Sequence, residues 1–298
     1  MPSISRRWVQ GILGIIWFVD GILQLKPQMF TSQFISQILL PTAQGQPFGI
    51  GHMITGMANM VAPHILVYNF IFALVQLFIG IMLIFNWWVK GTLIVSFIWT
   101  VLVWLFSEGI GMMLTGQATF LTGAPGAVLL YGLIGIIVWP QNDVKDTKAF
   151  LSTKMAEVAR YSLAVLWIIG GLLQLQPAFL TQGGLNGAFS VDSFNQMAAI
   201  HPLLVNWSFA ILMWIAGILL LMKNHAGARR TGFWLSVALA LFIWWAGEGF
   251  GQMLTPLGTD PNSGPLFILL ALGMQKLHQE HGEVKKRNLN HLHHQPTA

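Results

Sequence analysis

Charge is missing from most of this chain. Eight stretches, at about 8–25, 64–87, 91–115, 124–139, 158–176, 202–222, 232–254 and 264–276, run almost without charged side chains. A helix needs ~20 apolar residues, with roughly 17–25 tolerated, to cross a bilayer. Charged residues make up 8% of the chain, against roughly 25% in a soluble domain. A water-facing surface cannot be covered at that density. The composition excludes a soluble globular enzyme, a disordered protein and a nucleic-acid binder. It predicts an all-α polytopic membrane protein with eight transmembrane helices.

The basic residues set the expected topology. With eight crossings, Arg6, Arg7, Lys90, Lys145, Lys148, Lys154, Arg160, Lys223, Arg229, Arg230, Lys276, Lys285, Lys286 and Arg287 fall on one side, and Lys26 alone falls on the other. The positive-inside rule then places both termini in the cytoplasm, for a multi-pass protein of the plasma membrane. Ser5-Arg6-Arg7-Trp8 has the look of a twin-arginine signal. No small-residue cleavage site follows it, so the first span is expected to be retained. The chain has no cysteine, which excludes disulfides, thiolate metal sites and thiol redox relays.

The two halves read alike. Leu13, Trp17, Gly21, Leu23, Gln24, Leu25, Pro27 and Thr31 match Leu163, Trp167, Gly171, Leu173, Gln174, Leu175, Pro177 and Thr181 at one constant offset. His64, Asn69, Ala73 and Gly80 match His201, Asn206, Ala210 and Gly217 at a second. Ser96, Trp104, Glu108, Gly109, Gly111, Met113, Leu114, Thr115 and Pro125 match Ser236, Trp244, Glu248, Gly249, Gly251, Met253, Leu254, Thr255 and Pro265 at a third. Offsets that change only in loops mark a duplication. Four helices per unit return the chain to its starting side, so the expectation is two parallel four-helix repeats. The first covers 1–140, a cytoplasmic linker 141–157, the second 158–276, and a polar cytoplasmic tail 277–298. In the outer loop, Met29–Leu39 reads as a short interfacial helix, and 49–62 as a second such segment or a re-entrant piece.

Asp20, Glu108 and Glu248 are the only carboxylates in the spans, whose other charges, Arg160 and Lys276, stand at span ends, and intramembrane carboxylates are costly and usually functional. At the helical rise, Gln24 lies ~5 Å and Asp20 ~10 Å below the outer end of the first helix, Asn69 ~7 Å below His64, and Glu108 ~10 Å below Thr115. Gln24, His64, Asn69 and Glu108 thus share the outer half of the membrane, and Gln174, His201, Asn206 and Glu248 repeat them. Gly170 replaces Asp20 in the second unit. A histidine beside a carboxyl shuttles protons, which makes His64, Glu108, His201 and Glu248 the catalytic candidates. Asp20, Gln24, Asn69, Gln174 and Asn206 are candidate ligand contacts, with Trp17, Trp104, Trp167, Trp244 and Trp245 as aromatic walls. The alternative is that these polar groups only hydrogen-bond between helices, at ~0.6 kcal/mol each. No metal motif is present, and His291, His293 and His294 are read as part of a flexible tail.

The first-helix motif Leu13-x3-Trp17-x3-Gly21-x-Leu23-Gln24-Leu25-x-Pro27, its copy from Leu163 to Pro177, and the four-span size resemble the DoxX-like membrane family. Here two units are fused, where that family usually has one. The family includes DoxD-type subunits of thiosulfate:quinone oxidoreductase, so the resemblance implies a quinone-linked oxidoreductase subunit. A quinone would then be the cofactor or partner, alongside a periplasmic or membrane redox partner and the lipid bilayer. A small-solute or proton-coupled transporter, and a non-catalytic structural or assembly subunit, stand as alternatives.

Overall fold

The computed structural model describes residues 5–140, 153–181 and 183–275. Among the described residues there are eleven α-helices and no β-strand. The N-terminal half opens with α1 (Arg6–Leu23), whose start is capped by the Ser5 hydroxyl accepting the Trp8 N–H at 3.2 Å. A run of short turns from Pro27 to Ala43 contains α2 (Ser32–Phe34, one turn). Then come α3 (Phe48–Val61), α4 (Ile65–Phe85), α5 (Val89–Phe106) and α6 (Ala127–Ile137). The C-terminal half contains α7 (Thr153–Leu173), α8 (Asp192–Ile200), α9 (Pro202–Leu221), α10 (Ala226–Phe242) and α11 (Ser263–Gly273).

Five stretches are long and apolar enough to cross a membrane: Phe48–Phe85, Val89–Phe106, Thr153–Leu173, Pro202–Leu221 and Ala226–Gly247. Their outer faces are apolar too: Leu66, Val67 and Phe70 on α4 and Ile94, Ile98 and Val101 on α5 are exposed. That surface is compatible with an integral membrane protein in contact with lipid. α1 is ~27 Å long but carries Arg6, Arg7 and Asp20. α6 and α11 have 11 residues each, ~16 Å, about half a bilayer core.

Several expected boundaries are corrected. The third span, read over 91–115, ends as a helix at Phe106. Beyond it Gly109, Ile110, Gly111 and Met112 all take left-handed φ angles, from 53° to 59°, and no α-helix continues through such a run. The seventh span, read over 232–254, begins at Ala226 and leaves its helical path after Gly247, where Gly249, Phe250, Gly251 and Gln252 repeat the left-handed run. Glu108 and Glu248 therefore sit in turns rather than within helices. The outer loop holds α2 and short turns where one interfacial helix was expected, followed by α3 over the second expected segment. Of the expected linker, 153–157 begin α7, while 141–152 lie outside the described residues, as do 277–298 with His291, His293 and His294.

α1 packs along α4, and α7 along α9. The first pair approaches backbone to backbone: a Cβ at Gly80 would lie 2.6 Å from the Phe18 amide nitrogen. α6 and α11 pack on each other at the centre, with α11 also touching α1 and α6 touching α7. At one end of the bundle arginines close the helix C-termini. Arg6 donates to Val138 O at 3.0 Å, Arg7 to Leu83 O at 2.8 Å and Arg160 to Leu220 O at 2.6 Å.

At the other end, the loop end, each half reaches over its neighbour. The 107–126 loop meets α7 through Gln174 Nε2, which donates to Thr119 Oγ1 at 2.7 Å, and Gln176 Nε2, which donates to Ala118 O at 2.8 Å. The 248–262 loop is held over α1 by Lys26, whose Nζ donates to the carbonyls of Met253, Thr255 and Gly258 at 2.7, 2.7 and 2.9 Å. Hydrogen bonds from a charged donor contribute about 1.5–3 kcal/mol. Lys26→Met is therefore expected to speed amide hydrogen exchange in 253–258 by ~10-fold or more, leaving α4 and α9 protected. Unchanged exchange would remove Lys26 as the anchor.

Candidate functional site

A cavity of about 400 Å³ lies at the loop end of the N-terminal half. Helical periodicity brings its walls together. Trp17, Asp20 and Gln24 share one face of α1, Phe72 and Gln76 one face of α4, and Trp99, Val103 and Phe106 one face of α5. Glu108 enters from the turn after α5 and Tyr131 from α6, while Phe34, Leu39 and Met57 cover the cavity from the outer loop. Thr259, Asp260 and Asn262 reach in from the C-terminal half. Leu102 lines the cavity and is also exposed on the bundle surface, so there the wall is one side chain thick.

Three carboxyls meet here, held in different ways. Asp20 is 3% exposed. Its Oδ2 accepts the Tyr131 hydroxyl at 2.5 Å, and its Oδ1 has no partner. Glu108 Oε1 accepts the Val128 N–H at 3.0 Å, at the positive start of α6, and its Oε2 is buried and unpartnered. Asp260 accepts from the Thr259 hydroxyl at 2.7 Å and the Asn262 N–H at 2.6 Å. Gln76 Oε1, Trp17 Nε1 and Trp99 Nε1 are also buried without partners.

The other candidates are placed elsewhere. His64 and His201 are exposed at the starts of α4 and α9 and do not line the cavity. Gln24 lines it and also clamps α1 to α4: Gln24 Nε2 donates to Asn69 Oδ1, and Asn69 Nδ2 donates to Gln24 O at 2.9 Å. Asn206 clamps Gln174 likewise, donating to its carbonyl at 3.0 Å. Trp104 and Trp244 pin loops, their Nε1 groups donating to Pro125 O at 2.9 Å and Pro261 O at 2.8 Å. Glu248 caps α11 with both oxygens. Oε1 accepts the Ser263 N–H at 3.2 Å and the Ser263 hydroxyl, and Oε2 accepts the Gly264 N–H at 3.1 Å.

The paired tryptophan contacts correct one alignment. They match Pro125 with Pro261, not Pro265 as the spacing suggested, and so bring Tyr131 into register with Phe267. Trp17 packs on Tyr131 at 4.3 Å between ring centroids, and Trp167 on Phe267 at 4.9 Å. The expected offsets pair Asp20 with Gly170 and Gln76 with Met213, and by its place in space Phe120, with its ring against Gly170, stands where Asp260 stands beside Asp20. In the C-terminal half these residues fill the space. Phe120 lies 5.4 Å from the Phe267 ring, and a Cβ on Gly170 would meet Met213 Sδ at 2.8 Å and the Phe120 ring at 3.0 Å.

Gln76, Trp99, Tyr131 and Asp260 had not been singled out from the sequence. Gln76 was findable, since it and Met213 share the offset of His64 and His201. Tyr131, one of three tyrosines in the chain, sits in an otherwise apolar run. Asp260 lies in a Thr-Asp-Pro-Asn stretch that reads as an ordinary turn. Comparisons with protein-family models, curated proteins and solved structures return no match.

Proposed function

We propose that this is an integral membrane protein of eight crossings in two parallel four-helix repeats, whose N-terminal repeat binds a small protonatable solute and exchanges it against protons. In this reading α6 and α11 are half-helices, and the non-helical turns at 107–126 and 248–262 complete their crossings. Such backbone is tolerated at membrane depth where protein buries it or it lines a cavity. Half-helices that end at a cavity are a recurrent way to build a solute site in a membrane, and here the positive start of α6 is taken up by the protein's own Glu108.

The observation that carries the reading is the joint replacement of the lining. Asp20, Gln76, Tyr131 and Asp260 correspond to Gly170, Met213, Phe267 and Phe120. Every change goes from polar to apolar, and together they replace an open chamber with packed rings. A cluster that served helix packing alone would give no reason for four residues on four segments to change together.

The quinone-linked alternative uses the same chamber. The Asp20–Tyr131 pair and Glu108 lie between aromatic walls, and two proton-exchanging groups suit a two-proton carrier. Native mass spectrometry of mildly purified protein separates the readings. Wild type and Glu248→Gln are expected to retain a bound small solute that Glu108→Gln loses. An adduct of quinone mass lost in Glu108→Gln would favour the oxidoreductase. Equal behaviour of all three proteins would favour a structural role.

A further inference from the structure

The geometry points to an organic monocation, an amine or quaternary ammonium with an apolar body, as the ligand of the chamber at Asp20, Glu108 and Asp260. This inference rests on the solute-binding reading above. Among the described residues lining the cavity there are three carboxyls and no lysine, arginine or histidine. Three carboxyls sharing a desolvated space repel one another unless they hold protons or a positive charge enters in place of one.

The unpartnered atoms define what that charge must look like. Asp20 Oδ1, Glu108 Oε2 and Gln76 Oε1 are buried acceptors without donors. A protonated primary amine supplies three N–H donors and no acceptor, while a quaternary ammonium meets the carboxylates by charge alone and the rings by its methyl groups. A quinone carbonyl, itself an acceptor, gives those three oxygens no donor, and the buried unpartnered donors it finds are the indole N–H groups of Trp17 and Trp99.

The rest of the lining suits the body of such a molecule. Trp17, Phe72, Trp99 and Tyr131 present aromatic rings, and ring faces attract cations most strongly where water is excluded. The cavity, at about 400 Å³, falls within the range of small-molecule sites, ~300–1,000 Å³. A bare metal ion fits poorly: no group of three His, Cys, Asp or Glu side chains is placed to hold one among the described residues. Entry of one cation with release of one proton leaves the charge of the chamber unchanged, which links this ligand class to proton exchange.

The test is calorimetry and thermal melting of detergent-solubilised full-length protein with three probes. These are 2-phenylethylamine, its uncharged analogue 2-phenylethanol, and benzyltrimethylammonium, whose charge does not titrate. Both cations are expected to bind, and the alcohol at least ~30-fold more weakly, the scale of a buried charge pair deprived of one partner. The same loss is expected in Asp20→Asn and Glu108→Gln, with Glu248→Gln unchanged. Gln76→Met installs the C-terminal half's residue and is expected to weaken the cations without disturbing melting.

Benzyltrimethylammonium is expected to bind more weakly as pH falls, because protonated carboxyls carry no charge. Asp260 enters this carboxyl set from the C-terminal half. Asp20, Glu108, Glu248 and Tyr131 interact electrostatically with it, and Lys26 holds its loop. Alcohol bound as tightly as amine, with both lost in Glu108→Gln, would overturn the cation and keep the chamber. Cation binding indifferent to Asp20→Asn and Glu108→Gln, or no binding by a cooperatively melting protein, would overturn both.

Discussion

The double variant Asp20→Asn, Glu108→Gln is expected to be more stable than wild type and unable to bind cations. Each carboxyl keeps one hydrogen bond and leaves one buried oxygen unpartnered. Ionised carboxylates in a desolvated space are costly, and removing mutual repulsion recovers part of that cost. A gain of ~1–2 kcal/mol is in scale with other sites where function is held at the expense of stability. Binding moves the opposite way. Each buried counter-charge removed costs about 2–5 kcal/mol, so loss of two predicts a fall of ~10³-fold or more. Chemical denaturation in detergent and calorimetry on the same samples read both signs. A double variant that melts lower while binding the amine at wild-type strength would contradict both halves of this expectation.

Phe120→Ala is expected to be the most damaging single truncation on the loop side, at ~3–5 kcal/mol. Phe120 has no exposed surface and lies 5.9 Å from the Trp167 ring and 5.4 Å from the Phe267 ring. It belongs to the 107–126 loop, yet both partners are in the C-terminal half. Removing it opens a void over Gly170 and loosens the loop that the Gln174 and Gln176 hydrogen bonds also hold. The variant should unfold at lower denaturant concentration, with faster amide exchange at 117–123. A cost below ~1 kcal/mol would show that Phe120 is not the keystone of that packing.

Much of this architecture is written in local pattern. The apolar stretches gave the helices, because length and hydropathy alone decide which segments can pack in lipid. Asp20 and Gln24 stood out because polar groups are rare in such segments. What escaped local reading depends on distant contacts. The Glu108-Gly109-Ile110-Gly111-Met112-Met113 stretch is apolar enough to continue a helix. It turns instead, with Gln46 Nε2 donating to Gly109 O at 2.7 Å and Gly111 pressed against Pro125. Asp260 is a turn residue by its neighbours and a chamber residue only because its loop crosses to α1. His64 and His201 stand at the starts of α4 and α9, but both are exposed, a direction that spacing from Asn69 and Asn206 did not fix.

The crossed loops also bear on how such a chain can diverge. If the halves descend from one unit, a symmetric pair of separate copies would carry the same residue in both loops, and any change would open or seal both chambers together. Joining the copies in one polypeptide frees the two loops to differ, with aspartate at 260 and phenylalanine at 120. Each half then stores, in its own sequence, the residue that decides whether the other half is hollow. On that descent, specialisation would be a property of the linkage between halves, and neither half would inherit its own role alone.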